Sequence, residues 1–406
     1  MTFNRSSQLL LVAVGSLLAA GLVTACGTLT VDFVYVTSAK AAGANNYGEI
    51  DVFEINSESG RMRTIPTSPF PSGGRNPVAE AVSPDNADLY VVNQDDNTIV
   101  QFVIGTDGKV YPQNTTNTPG IFPLAVSVSG SYLFVADTYQ PLPTCSTTSP
   151  CSGSIAVYPI LTGSQAGSQP PDTLGSAVAN TSISANYWPL TLPAKPTDVL
   201  TPTGLAAASS GAYVYVTAFD ATTGGGYIFG FAVNTDGTLS ATNQGVPFAA
   251  GTHPSAIASS PDGSILYVTD SATNQILTFS ANSGTLAPVA GSPFGTGNAP
   301  SAVVVDATGK YVFAANSLDS NLTVYSSSGG VLNSLGTFTT GTQPVAVGID
   351  PSLNQYVYTA NFLGNTVSGF QLNPATGNLL NSQFSPSGTN PNPTAVAAIP
   401  HGKHKT

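Results

Sequence analysis

A proline followed by a short apolar segment recurs through this chain, at Pro77, Pro123, Pro202, Pro254, Pro300, Pro344 and Pro393, and all but one of the intervals fall between 44 and 52 residues. A period of about 45 residues filled only with strand-like segments excludes helical solenoids and fits the blades of a β-propeller. The order inside each unit is constant. An apolar segment such as Ala256–Ser259 leads to the turn Ser260-Pro261-Asp262-Gly263 and then to an alternating segment, Leu266–Asp270. A polar hairpin, a third segment (Gln275–Phe279) and a turn at Gly284-Thr285-Leu286 complete the unit. Alternation punctuated by Gly, Pro, Asn and Asp reads as strands and turns.

The two ends of the repeat complement one another. Residues 32–67 supply second, third and fourth strands (Phe33–Val36, Ile50–Phe53, Arg63–Ile65) without a first, and residues 393–399 supply a first strand alone. Joining them predicts an all-β, seven-bladed propeller of four-stranded blades over residues 31–400. Its ring is closed by a C-terminal first strand that completes the N-terminal blade, which hides strand edges. The long interval from Pro123 to Pro202 holds one blade plus an insertion at about 161–200, around the single Trp188. Residues 401–406 are a polar tail.

Ahead of the repeat, Arg5 precedes an apolar run, Leu9–Ala25, that is short for a membrane span and interrupted by Gly and Ser. It ends in Val23-Thr24-Ala25-Cys26, which resembles the lipobox of bacterial lipoproteins. The resemblance implies a signal peptide over 1–25, cleavage before Cys26, lipidation of Cys26 and a short linker to residue 30. The chain is then expected to be exported and held on the cell envelope through its lipid. Gly27 stands where an inner-membrane retention Asp would, so the outer membrane is favoured. In an exported protein Cys145 and Cys151, inside a Pro/Ser/Thr-rich loop, are expected to form a disulfide. With three His and three Cys in all, a Cys/His zinc cluster is excluded. A net charge of −11 leaves no electrostatic footprint for nucleic acid.

The second strands end in a shared pattern: Tyr90-Val91-Val92-Asn93, Phe134-Val135-Ala136-Asp137, Tyr267-Val268-Thr269-Asp270, Phe313-Ala314-Ala315-Asn316 and Tyr358-Thr359-Ala360-Asn361. This resembles YVTN-repeat propellers and the seven-bladed lactonase family that includes 6-phosphogluconolactonase-like proteins. For activity, the resemblance implies ring-opening of a lactone. Family members often show Pro-Arg-His at the anchor and Asn-Glu after the second strand. Here Pro77-Val78-Ala79 and Asn93-Gln94 stand instead, and an amide cannot act as a carboxylate base.

Two sets of candidate site residues follow. Asn93, Asp137, Asp270, Asn316 and Asn361 form a candidate ligand or metal ring; their oxygens suit calcium, although no cofactor is required. Short polar side chains at such places also bond nearby backbone. Asp95, Asp96 and Asp319 are further hairpin acids. Glu80 stands three residues after its anchor, where the other six repeats carry Val126, Leu205, Ile257, Val303, Val347 and Val396. Glu80 as base, Arg75 as anion clamp and His253 as acid make the candidate catalytic set; a local Glu80–Arg75 ion pair is the plainer alternative. The sequence reading is an envelope binding module for a small molecule, protein or glycan, with a lactone hydrolase around Glu80, Arg75 and His253 as the alternative.

Overall fold

The structure, a computed structural model, describes residues 29–39, 47–350 and 355–401. The signal segment, Cys26 and the tail beyond His401 lie outside the described residues. Seven antiparallel sheets are arranged as the blades of a propeller. Blade 4 is representative, with strands Pro254–Ser259, Ile265–Asp270, Gln275–Asn282 and Thr285–Pro288 running from the central axis outward. Counting with blade 1 at Pro77–Asn117, blade 7 joins Pro393–Pro400 to Thr30–Ser38, Tyr47–Asn56 and Met62–Thr64. The ring therefore closes as the sequence predicts, with Tyr35 opposite Ala397 across the seam. No helix among the described residues is long and apolar enough to cross a membrane.

The two sequence patterns turn out to be one device. Each anchor proline lies directly across from the last residue of the shared second-strand pattern, for example Pro77 with Asn93, Pro254 with Asp270 and Pro344 with Asn361, although in blades 2 and 3 the strand itself runs two residues further, to Tyr139 and Asp220. A register shift follows at the next residue in each of these blades. Proline has no amide to donate, and a strand start followed by a bulge is where a sheet tolerates it. The bulged residue is often a hydroxyl, and it ties neighbouring blades together. Ser255 donates to the Pro300 carbonyl at 2.5 Å, Ser301 to Pro344 at 2.7 Å, and Thr394 to Pro77 at 2.8 Å.

Apolar packing lies between the blades. Seven clusters of buried side chains each bridge two neighbours; Tyr90, Val92, Leu133, Val135 and Tyr158 join blades 1 and 2. Each fully buried aromatic or aliphatic side chain contributes roughly 1.5–3 kcal/mol by leaving water. The 161–200 insertion supplies the outer edge of blade 2, where Thr173–Leu174 and Trp188–Pro189 pair with Ser154–Leu161. Trp188 is buried between blades 2 and 3. The Cys145–Cys151 disulfide is present and closes the long loop after the second strand of blade 2.

Candidate functional site

The first strands surround a central channel of about 260 Å³. Its wall includes Leu205, Ile257, Val303, Val347 and Val396, and Glu80 is the one ionisable side chain among its described lining residues. The loops entering the first strands and the hairpins after the second strands share one face of the ring: Gln94 N–H donates to Asn76 O, Ser271 N–H to His253 O and Phe362 N–H to Gln343 O.

Glu80 is half-buried as a residue, but its carboxyl is tucked against blade 7. Oε2 accepts the Thr37 hydroxyl, whereas Oε1 has no hydrogen bond. Burial pushes the carboxyl up to about 8, against the Thr37 hydrogen bond and the nearby Ala397 amide, which ease its charge. Arg75 does not pair with it. The guanidinium reaches Asp96 through Nε and Nη2, at 2.6 and 2.5 Å, and the Arg75 amide donates to the same carboxylate at 2.7 Å. His253 lies outside the channel lining. Its ring packs on Phe219 with centroids 4.1 Å apart, and its Nδ1 lies 3.0 Å from the Ser271 hydroxyl. The three candidate catalytic side chains thus have three separate sets of partners.

The Asn/Asp set is wholly buried. Asn316 Nδ2 donates to Asn321 Oδ1 and Thr323 Oγ1 at 2.7 and 2.8 Å, and Asn361 Nδ2 donates to Ser368 Oγ at 2.9 Å. Asn93 Oδ1 accepts the Ser72 hydroxyl at 3.2 Å. Asp270 accepts amides of Thr252, His253, Ala272 and Thr273, which hold its carboxyl below the ordinary range despite burial. Asp137 is the exception: neither oxygen has a formed hydrogen bond, and burial pushes the group to about 8. A glycine three residues before each anchor lies over each of the five. A Cβ at Gly74, Gly120 or Gly251 would come within 2.2–2.5 Å of Asn93, Asp137 or Asp270. Gly297 and Gly341 stand likewise over Asn316 and Asn361. The spacing of glycine to proline was visible in the sequence; its meaning, a lid over a buried polar cap, needed the fold. Asp319 receives the Asn298 amide at 2.7 Å, and Asp95 the Asn76 side chain at 3.1 Å.

A family profile described as "Lactonase, 7-bladed beta-propeller" matches residues 33–398. The chain belongs to this lactonase family. Among solved structures, this lactonase-family propeller is similar to a putative 6-phosphogluconolactonase from Bacteroides uniformis, at 20% identity and a TM-score of 0.68, with 91% of this chain and 100% of the other covered. It is also similar to the periplasmic gluconolactonase of Pseudomonas aeruginosa, at 18% identity and a TM-score of 0.67, covering 90% and 99%. No curated protein matches the sequence.

Two acidic groupings escaped sequence reasoning because they form between blades. Asp85, Asp88 and Asp172 bring carboxylate oxygens within 4.8 Å of one another where blade 1 meets the insertion. Asp32 and Asp350, both fully buried, meet where blade 6 meets blade 7. Nothing in the spacing of these residues announces either.

Proposed function

We propose that this lactonase-family propeller is an exported, lipid-anchored binding module of the cell envelope. The observation that carries the reading is the separation of the candidate catalytic groups: Glu80 bonds Thr37, Arg75 bonds Asp96, and His253 bonds Ser271. A lactonase needs a base and an electrophilic partner converging on one carbonyl, and among the described residues lining the channel no charged partner accompanies Glu80. The hairpin face is rich in amides and hydroxyls with few charges, a surface suited to a neutral glycan or an envelope protein. Anchoring rests on the Cys26 motif. Detergent-phase partitioning of the expressed full-length chain, lost in Cys26→Ser, tests it.

A second reading is favoured by one feature of Glu80. A carboxyl raised to about 8 beside a water-accessible channel is poised for proton transfer near neutral pH. The names of the structural neighbours point the same way, to gluconolactones. Hydrolysis of sugar, phosphorylated and aliphatic lactones, with calcium and with chelator, decides between the two. The binding module predicts no turnover above the spontaneous rate. Turnover that disappears in Glu80→Gln assigns lactone hydrolysis to the channel.

A further inference from the structure

After the fourth strands of blades 4, 6 and 7 the chain makes the same turn. In each, a serine hydroxyl accepts a third-strand amide at 2.9 Å: Ser292 from Thr278, Ser385 from Gly369 and Ser68 from Val52. The residue before that serine has a positive φ, 86° at Gly291, 60° at Phe384 and 74° at Thr67. Glycine adopts this left-handed conformation freely, whereas a bulky side chain rarely does. The turn therefore forms without an aromatic ring in two blades, and in blade 6 it carries one on strained backbone. That ring is also 68% exposed. An exposed phenylalanine at a glycine position is unfavourable twice over, and strain of this kind points to a use outside the fold.

Phe384 stands at one corner of the ring of blades. The Arg61 guanidinium lies over its face, 4.8 Å from the centre of the aromatic ring. The Gln383 amide donates to Ser59 O at 3.0 Å and the Gln371 side chain to Glu58 O at 3.2 Å, which joins blade 6 to the 56–61 turn of blade 7. Leu380, paired with Gln371 across the strands, is 60% exposed. The chain enters the propeller at the same corner, where the carbonyl of Leu29, itself 68% exposed, accepts the Ser57 amide at 3.0 Å. A cleft of about 410 Å³ there is lined in part by Thr30, Glu54, Glu58, Arg61, Arg63 and Gln383. From this corner the strand Thr30–Ser38 leads to the hairpin face, where the Ala39 amide donates to Asn392 O at 2.9 Å. The corner therefore belongs to the opposite face.

We propose that this corner rests on the bilayer that holds the lipid of Cys26, with Phe384, Leu380 and Leu29 among the headgroups and the hairpin face turned away from the membrane. The pose rests on the lipid anchoring proposed above. Leu29 follows Cys26 by three residues, a reach of at most about 11 Å, so the anchor holds this corner at the bilayer surface. Aromatic rings and arginine suit the headgroup zone, where the ring is buried and the guanidinium meets phosphate. Two arginines and two glutamates around the cleft balance in charge, which fits a zwitterionic headgroup, phosphate beside ammonium. In this pose the hairpin face is open to a glycan or protein beyond the membrane.

The test uses the full-length chain, processed in a bacterial host and reconstituted in vesicles of phosphatidylethanolamine and phosphatidylcholine carrying brominated lipid. The bromine is expected to quench the added fluorescence of Phe384→Trp and of Leu380→Trp. It is expected to leave unchanged that of Leu318→Trp, in the second hairpin of blade 5 on the far face. Trp188 is common to all and is subtracted as the wild-type signal. Phe384→Gly is expected to keep the melting temperature and the membrane-bound fraction while cutting the quenching of Leu380→Trp about two-fold. Leu380→Trp keeps the test open if Phe384→Trp fails to fold. The proposal is overturned if Leu318→Trp is quenched as strongly as Phe384→Trp, or if a membrane-bound chain shows no quenching at either face. It is also overturned if Phe384→Gly leaves the quenching of Leu380→Trp unchanged. Detergent-phase partitioning separates these results from failure of the anchoring itself, in which the chain stays in the aqueous phase and the pose falls with it.

Discussion

Asp270 and Asp137 stand at the same place in two blades, across from their anchor prolines and beneath a glycine, yet one is held as an anion and the other resists ionisation. The difference lies in the hairpin. In blade 4 the chain turns immediately after Asp270, so the Ala272 and Thr273 amides fold back onto its carboxylate while Thr252 and His253 close from the incoming loop. In blade 2 the second strand continues to Tyr139 before the long disulfide-closed loop, and the hairpin sends no amide back to Asp137; only Thr118 and the Gly120 amide of the incoming loop ease its charge. Desolvation opposes the charge in both; at Asp270 four backbone amides outweigh it, and at the more deeply enclosed Asp137 the Thr118 and Gly120 contacts do not.

The contrast can be broken by removing each charge in turn. Asp270→Ala is expected to have the largest effect, a loss of about 3 kcal/mol, because several charge-assisted hydrogen bonds go and amides are left buried without acceptors. Denaturant unfolding at pH 7 measures it. Asp137→Asn is expected to act in the opposite direction, raising the melting temperature at pH 8 by several degrees. The sign follows from linkage. A carboxyl at about 8 in the folded state and near 3.8 in the unfolded chain binds its proton more tightly when folded, so stability falls as pH rises through that window. The variant should therefore flatten the pH profile between 4 and 8. The stability that Asp270 supplies is present above its ordinary value of 3.8 and lost as pH falls through its lower folded value.

Two smaller effects sharpen the same comparison. Replacing Cys145 and Cys151 by Ser is expected to cost about 2 kcal/mol, since the closed loop is short. If the loop itself keeps Asp137 dry, the double Ser variant also loses part of the fall in stability between pH 4 and 8. Ser255→Ala removes one hydroxyl tie between blades 4 and 5 and is expected to cost about 1 kcal/mol. Ser255→Thr should restore it, while no position that already carries Val, such as Val345, should respond to Ala in the same way.

What was legible in the sequence was whatever repeats. Proline anchors, Tyr-Val-x-Asn endings and two incomplete end units were sufficient for blade number, strand order and closure, because each blade solves the same packing problem with the same residues. Contacts between blades were not legible. Arg75 and Glu80 are close in sequence, but the anchor proline separates an outer-edge strand, Phe70–Arg75, from an inner one, Pro77–Val82. The first, at the outer edge of blade 7, finds Asp96 in the hairpin after the second strand of blade 1, and the second, in blade 1, finds Thr37 in blade 7. The Asn/Asp set was visible as a pattern, whereas its role as a glycine-covered cap depended on the incoming loop crossing above it.

Closure by the last strand also sets the timetable of folding. Thr394 donates to the carbonyl of Thr37, 357 residues earlier in the chain. Until that final segment has been synthesised, the strand Thr30–Ser38 has a bare inner edge and Asp32 has no neighbour across the seam. Contacts of such long range are slow to form. An unfinished chain offers an unpaired edge to any other strand it meets. The same link that gives the finished ring its continuity makes the nascent chain dependent on shelter until its last residues arrive.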